Sequence, residues 1–484
     1  MSGHQRRRGR RYRVVQDSAR VILSNVIVMA VSIGVALVLP KILGVTGYGY
    51  WQLYQLYALY VGLSAFGAVD GIYLKLGGVH YDTMDQTSVG AQGMLTVLWQ
   101  CAVAVALNVG AVLFMEPGEG RTVLHALSVT MVLTNVKWFY LYVLQATNRM
   151  KEYARAAAGD RLIFLGVIVI AIAAGYDNFR YAILADLIGR TGSLVMTLVA
   201  CRGLVRAYPV RLLRDIWPEY RHTVRAGNGL LLSNLASRFI TGVIRIIIER
   251  RWSIEVFSKV SLTVTLANFA MTFFTAISTV LFPTLRRTPP ERLGGIYTAL
   301  RAVLTATMFL ALFLYFPLRP LMEAWLPDYA DSMQYLALLF PVAVFEAKVA
   351  MLSDTYMKSL RMEVLMLRVN VVVLVAAGAL GALTAWGLDS LDLTVLLLVV
   401  VIAARSAAME LALDRRLRLG LLTRVLSEVG LAAVFMVATW FLVPWAALVA
   451  YAVAAALYLV AYSRDLRRGI AFMRGRPGEE VARV

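Results

Sequence analysis

The chain has 484 residues, of which 60% are hydrophobic and only 16% charged. Soluble domains are roughly 45–50% apolar and about 25% charged, so a soluble enzyme, a fibrous protein and a disordered scaffold are excluded. Forty-eight Lys and Arg against 29 Asp and Glu give a net charge of +19, an excess that in a polytopic membrane protein collects in the loops on one side of the bilayer.

A basic tail at 1–17 opens the chain, followed by apolar stretches separated by charged or Pro/Gly-rich breaks. A bilayer crossing takes about 20 apolar residues. On that scale fourteen spans are predicted: 18–40, 48–68, 91–115, 122–146, 159–175, 181–202, 227–249, 257–283, 295–318, 331–352, 364–387, 391–412, 425–443 and 445–463. The fifth is short, and the last two are divided only at Pro444. The pattern predicts an all-α polytopic protein with an N-lobe of six helices (18–202), a cytoplasmic inter-lobe loop (203–226) and a C-lobe of six (227–412). Two further helices (425–463) and a second basic tail (464–484) follow.

With the N-terminus placed in the cytoplasm, 32 Lys and Arg fall in inward connections and tails and 6 in outward loops. The positive-inside rule produces this bias, so both termini are expected to be cytoplasmic, with the protein in the plasma (inner) membrane. The run from Arg6 to Arg13 leads into a full-length span and reads as a juxtamembrane cluster facing anionic lipid, with no nucleic-acid partner and no cleavable signal. No G-x-x-x-x-G-K-[ST] loop occurs, the four histidines have no metal-ligand spacing, and no loop is long enough for a catalytic domain. A non-enzymatic transporter is expected, without a bound cofactor and powered by a Na+ or H+ gradient.

Ten Lys and Arg remain within the spans or at their ends, and an ionisable side chain there is a functional candidate by default. Arg20, Lys348 and Arg368 lie near cytoplasmic ends, where long side chains snorkel, and Lys259 has Glu255 one turn away. Span seven is different: Asn234, Arg238, Thr241, Arg245 and Glu249 are spaced by three and four residues and form one polar stripe, with Arg238 near mid-span. Span eight carries a matching ridge that includes Ser261, Thr265, Asn268 and Thr272; small polar ridges of this kind also glue helices together. Lys137 on span four, Asp186 and Arg190 on span six, and Arg301 on span nine add to the set, with Asp186 placed to neutralise Arg190. Lys137, Arg190, Arg238, Arg245 and Arg301 together suggest a wet cationic cavity for an anionic substrate, phosphate or diphosphate, since arginine presents paired donors to phosphate oxygens. Asp186, Glu249 and Glu346 are the candidate carboxylates for a coupling ion. Tyr48, Tyr50, Trp51 and Tyr60 read as an interfacial aromatic belt, whereas Tyr54 and Tyr57 lie deeper, where sugar stacking is the alternative.

Three stretches carry a family resemblance: Leu39-Pro40 through Gly44 with Gly47-Tyr48-Gly49 and Trp51; Gly67-Ala68-Val69-Asp70-Gly71-Ile72; and Leu281-Phe282-Pro283-Thr284-Leu285. In these the chain resembles the polysaccharide transporter family, the flippases of O-antigen and capsule precursors. That family belongs to the wider superfamily of multidrug exporters, oligosaccharide flippases and peptidoglycan-precursor flippases. The resemblance implies two pseudo-symmetric lobes around a cationic cavity and alternating access. The implied cargo is a polyprenyl-diphosphate-linked oligosaccharide, with membrane lipids and polysaccharide polymerase machinery as partners. A cation-coupled multidrug exporter of the same superfamily and a membrane glycan polymerase or ligase are the alternative readings.

Overall fold

The computed structural model describes residues 34–268 and 290–473. The first tail, most of span one, the end of span eight with Leu281–Leu285, and the last residues of the second tail lie outside the described residues. Among the described residues the regular elements are helices only: α1 (Gly34–Ala65), α2 (Ala68–Leu76), α3 (Gln86–Phe114), α4 (Glu119–Ala146), α5 (Met150–Ala173), α6 (Phe179–Ala200), α7 (Val210–Arg251) and α8 (254–268). They continue as α9 (Pro290–Ala311), α10 (Tyr315–Trp325), α11 (Gln334–Lys348), α12 (Asp354–Ser359), α13 (Glu363–Ala382), α14 (Leu391–Leu417), α15 (Leu422–Phe441), α16 (Pro444–Ala461) and α17 (Ser463–Met473).

Ten helical segments among the described residues are long and apolar enough to cross a membrane, or eleven with the bent pair α1–α2. The protein is therefore multi-pass. Expected spans three to six and nine to fourteen each fall on one of these ten segments, α9 joining α10 and α11 joining α12 into single crossings. The other four expected spans are not among the ten, and most of span one and the end of span eight lie outside the described residues. α1 runs from Gly34 into span two without the connection expected near 39–47, which is marked only by the left-handed Gly44 (φ 65°). Span seven is the second half of the 42-residue α7 and is not among the ten. Within it the side chains at 230, 233 and 234 lie outside the described residues.

The expected loop at 203–226 is helical from Val210 onward. Its charged residues disguised a one-sided helix, since Leu213, Tyr220, Thr223 and Gly227 are buried and recur on a single face. That face meets α2 at a close backbone crossing. A Cβ added to Gly227 would lie 2.0 Å from the Gly67 carbonyl oxygen, and one added to Gly71 would lie 1.9 Å from that of Thr223. Gly67 also needs its glycine for conformation: with φ 85° it turns the chain by 60° between α1 and α2. Between membrane helices the hydrophobic effect contributes little, and small residues that let backbones approach do much of the packing.

The chain divides into two compact units, Met1–Leu232 and Ser233–Val484, with the division inside α7. In the first unit α4 is the core helix, with Phe139, Leu141, Val143 and Leu144 packed beside Ile72 and Cys201, while α3 exposes Val105, Val109, Val112 and Leu113 as a lipid-type face. In the second unit α11 is buried on nearly every side from Tyr335 to Lys348.

Candidate functional site

Within the first unit, α1, α4, α5 and α6 bring four charges together. Tyr54 is completely buried; its hydroxyl donates to Asp186 Oδ2 at 2.6 Å and shares a hydrogen bond with Thr130 at 2.7 Å. Arg190 Nε donates to the same Asp186 oxygen at 2.5 Å, the expected i, i+4 pair, and its Nη1 donates to Thr134 at 2.9 Å. Lys137, only 3% exposed, pairs with Asp160. Two cations thus meet two carboxylates.

The second unit repeats the balance more tightly. Arg301 on α9 pairs with Glu410 at 2.5 Å and with Glu428 at 2.8 Å, and Lys348 on α11 bridges the same two acids, 2.7 Å from Glu410. All four side chains are at most 3% exposed. Tyr297 donates to Glu410 and Tyr458 to Glu428, at 3.2 and 3.1 Å. Beside this cluster Arg405 is held by Asn370 at 2.9 Å, Ser237 at 2.6 Å and Glu346 at 3.3 Å.

These contacts give Lys137 and Arg301 partners that no local spacing suggested, and Arg190 the partner that it did. Removing a charge from water costs several kcal/mol per ion, which is offset only by close opposite charge and hydrogen bonds. Lys137, Arg190 and Arg301 satisfy that condition with carboxylates on the same or neighbouring helices, so neither cluster has net positive charge to offer a diphosphate. Lys348 does not snorkel; it is a core bridge. Tyr54 has no open ring face for a sugar, and Tyr48, Trp51 and Tyr60 are buried as well, Trp51 stacked on Phe164 with rings 5.9 Å apart, so this is packing and not an interfacial belt. Tyr57 is half-buried. Lys259 pairs with Asp331 at 3.5 Å, across helices. Two of the candidate coupling carboxylates, Asp186 and Glu346, are engaged by arginines, and Glu249 lies 3.4 Å from Arg250.

The described residues of the stripe on α7 and α8 include more exposed side chains. Arg238 is exposed, and the Thr241 hydroxyl donates to its carbonyl at 3.2 Å. Arg245 is half-buried; its Nη2 donates to Ser261 on α8 at 3.0 Å and its guanidinium lies over the Phe257 ring, 5.6 Å from the centroid. Asn268 is exposed at the last described turn of α8. The Arg245–Ser261 hydrogen bond thus links the polar stripe of α7 to that of α8. Thr272 and the side chain of Asn234 lie outside the described residues. Among the described residues no group of His, Cys, Asp and Glu is placed to hold a metal ion. Sequence reasoning missed Asp160, Glu410 and Glu428, although each falls inside a predicted span and an intramembrane carboxylate signals a buried partner as strongly as a cation does.

Many apolar spans in two helical units, with polar groups held deep inside each, define a polytopic, all-helical membrane fold. No protein-family model matches the sequence, and no curated protein matches it. Solved structures do. The chain is similar to the lipid II flippase MurJ in an inward closed conformation, with a TM-score of 0.63 and 11% identity, over 93% of this chain and 99% of that one. It is also similar to an inward-facing multidrug resistance MATE family transporter of the MOP superfamily, with a TM-score of 0.52 and 14% identity, over 81% of this chain and 95% of that one. At such identities the likeness is one of fold.

Proposed function

We propose that the protein is a flippase that carries a polyprenyl-diphosphate-linked oligosaccharide, a polysaccharide precursor, from the cytoplasmic to the outer leaflet of the cell membrane by alternating access. The observation that carries this reading is the exposed Arg238 with the half-buried Arg245 on the α7–α8 polar face. A guanidinium exposed at mid-span is costly in lipid and affordable beside a water-filled path, and its planar donors suit a diphosphate. Further support comes from the fold shared with a lipid II flippase along nearly the whole of both chains. The prenyl tail stays in lipid while the polar head follows the arginine face, so only the head meets a crossing barrier. Both termini are cytoplasmic in this proposal. Coupling to a Na+ or H+ gradient acts through Glu249, Glu346 or Asp186, and the exported glycan passes to polymerase machinery.

The likeness to a multidrug transporter supports a second reading, export of organic cations. Such cargo needs an accessible carboxylate, whereas the deep carboxylates Asp160, Asp186, Glu410 and Glu428 are each committed to a cation of the protein. Complementation of a flippase-deficient strain separates the readings. Arg238→Ala is expected to abolish growth rescue at near-normal expression, and Arg238→Lys to keep part of it. Full rescue by the Ala variant would remove Arg238 from the mechanism.

A further inference from the structure

α17 has no part in the proposed transport path, yet its placement is specific. Only Tyr462 separates it from α16, so it begins where a span ends. One side is docked on α9: a Cβ added to Gly469 would lie 2.4 Å from the Ala299 carbonyl oxygen and 2.7 Å from the Val303 side chain. Arg424 at the start of α15 pairs with Asp465 at 2.8 Å, and Tyr462 shares a 2.9 Å hydrogen bond with Ser427. With Asp465, Leu466 and Gly469 turned inward, the opposite face presents Arg464, Arg467 and Arg468, all exposed.

The same end of the unit carries three more exposed arginines, Arg415, Arg416 and Arg418, at the end of α14 and in the turn into α15. That turn reaches α9 as well, since Leu419 would lie 3.1 Å from a Cβ on Gly294. The two acids nearby are occupied, Asp414 by the backbone N–H of Leu419 at 2.8 Å and Asp465 by Arg424. None of the six exposed arginines is in an ion pair with another described residue.

We propose that α17 is an interfacial clamp that binds the phosphates of anionic phospholipids at this face of the membrane. Its position at the end of a span puts the arginine face at headgroup depth, which favours a bilayer surface over a soluble polyanion. Each arginine near an anionic surface strengthens the contact about fivefold, and the guanidinium fork suits phosphate oxygens. Because α17 lies against the backbone of α9, the helix that carries Arg301, lipid composition sets how firmly α9 is held.

Hydrogen exchange of the 463–473 amides in the full-length protein tests this, in nanodiscs of phosphatidylcholine alone or mixed with phosphatidylglycerol. Exchange is expected to be at least about tenfold slower with phosphatidylglycerol, and protection should weaken as salt rises. Arg464→Gln, Arg467→Gln and Arg468→Gln together should bring the rate in mixed discs to that of the unmodified chain in phosphatidylcholine. Unchanged exchange across α4 in that variant reports that it has folded. The proposal is overturned by equal protection in both discs, by protection that survives the triple substitution, or by glycerol 3-phosphate or an RNA oligomer giving the same protection in phosphatidylcholine.

Discussion

Glu410 accepts hydrogen bonds from Arg301, Lys348 and Tyr297 at once, and its principal partner Arg301 is 109 residues away in sequence. Removing this one carboxylate leaves two buried cations sharing Glu428. Breaking a buried pair from one side costs about 3–5 kcal/mol, so Glu410→Ala should lower the thermal unfolding temperature in detergent by many degrees. Replacing Lys348 with Met and Glu428 with Leu in one variant removes a cation and an anion together, and should cost much less than Glu410→Ala. A Glu410→Ala protein that unfolds with the unmodified chain would show that these charges do not hold the unit. At this scale the cations were legible, because Lys and Arg in apolar runs stand out. Their neutralisation was not, because Asp160, Glu410 and Glu428 sit on other helices and no local spacing reports a contact made through the fold. The Asp186–Arg190 pair, four residues apart on one helix, was readable for the same reason.

The elements show how glycine position matters more than glycine number. Gly227 and Gly229 are both on α7, but a Cβ at Gly227 would lie 2.0 Å from the Gly67 carbonyl oxygen while one at Gly229 meets no described atom within 4 Å. Gly227→Ala should therefore unfold at a clearly lower temperature. Gly229→Ala should be neutral or raise it slightly, as relief of glycine's entropy cost in a helix is worth about 0.5–1 kcal/mol. The first half of α7 is also clamped by Glu219, which accepts hydrogen bonds from Lys75 and from Ser88 at 2.9 Å. Partial burial raises its carboxyl pKa, but the bonds from Lys75 and Ser88 outweigh that and hold it below the usual 4.5. The folded pKa is thus the lower one, so the clamp stabilises at neutral pH and is lost as pH falls below about 4.5 through the folded value. Unfolding temperatures of the unmodified chain and Glu219→Gln should differ at pH 7 and converge in acid; a gap independent of pH would rule the clamp out. Hydropathy hid this stretch of α7 because it is polar on one side, the same feature that makes it a helix packed on α2.

For the whole molecule, most of the fold was visible in the sequence. Ten expected spans fall on described apolar crossings. Each cluster has a lysine on the fourth of six expected helices (Lys137, Lys348) and a carboxylate on the sixth (Asp186, Glu410), whereas Asp160, Arg301 and Glu428 have no such counterpart. Burial of Lys137, Arg190 and Arg301 in ion pairs across the fold was not fully visible, and the exposure of Arg238 and half-burial of Arg245 narrow the proposed substrate face to these two. The most direct test is transport by the purified protein in proteoliposomes, following the arrival of a polyprenyl-diphosphate-linked oligosaccharide in the opposite leaflet. The unmodified chain should move it, and Arg238→Ala with Arg245→Ala should lower the rate by about tenfold or more, the loss expected for charge-assisted hydrogen bonds. Equal rates for the two proteins, or no movement by the unmodified chain, would contradict the account.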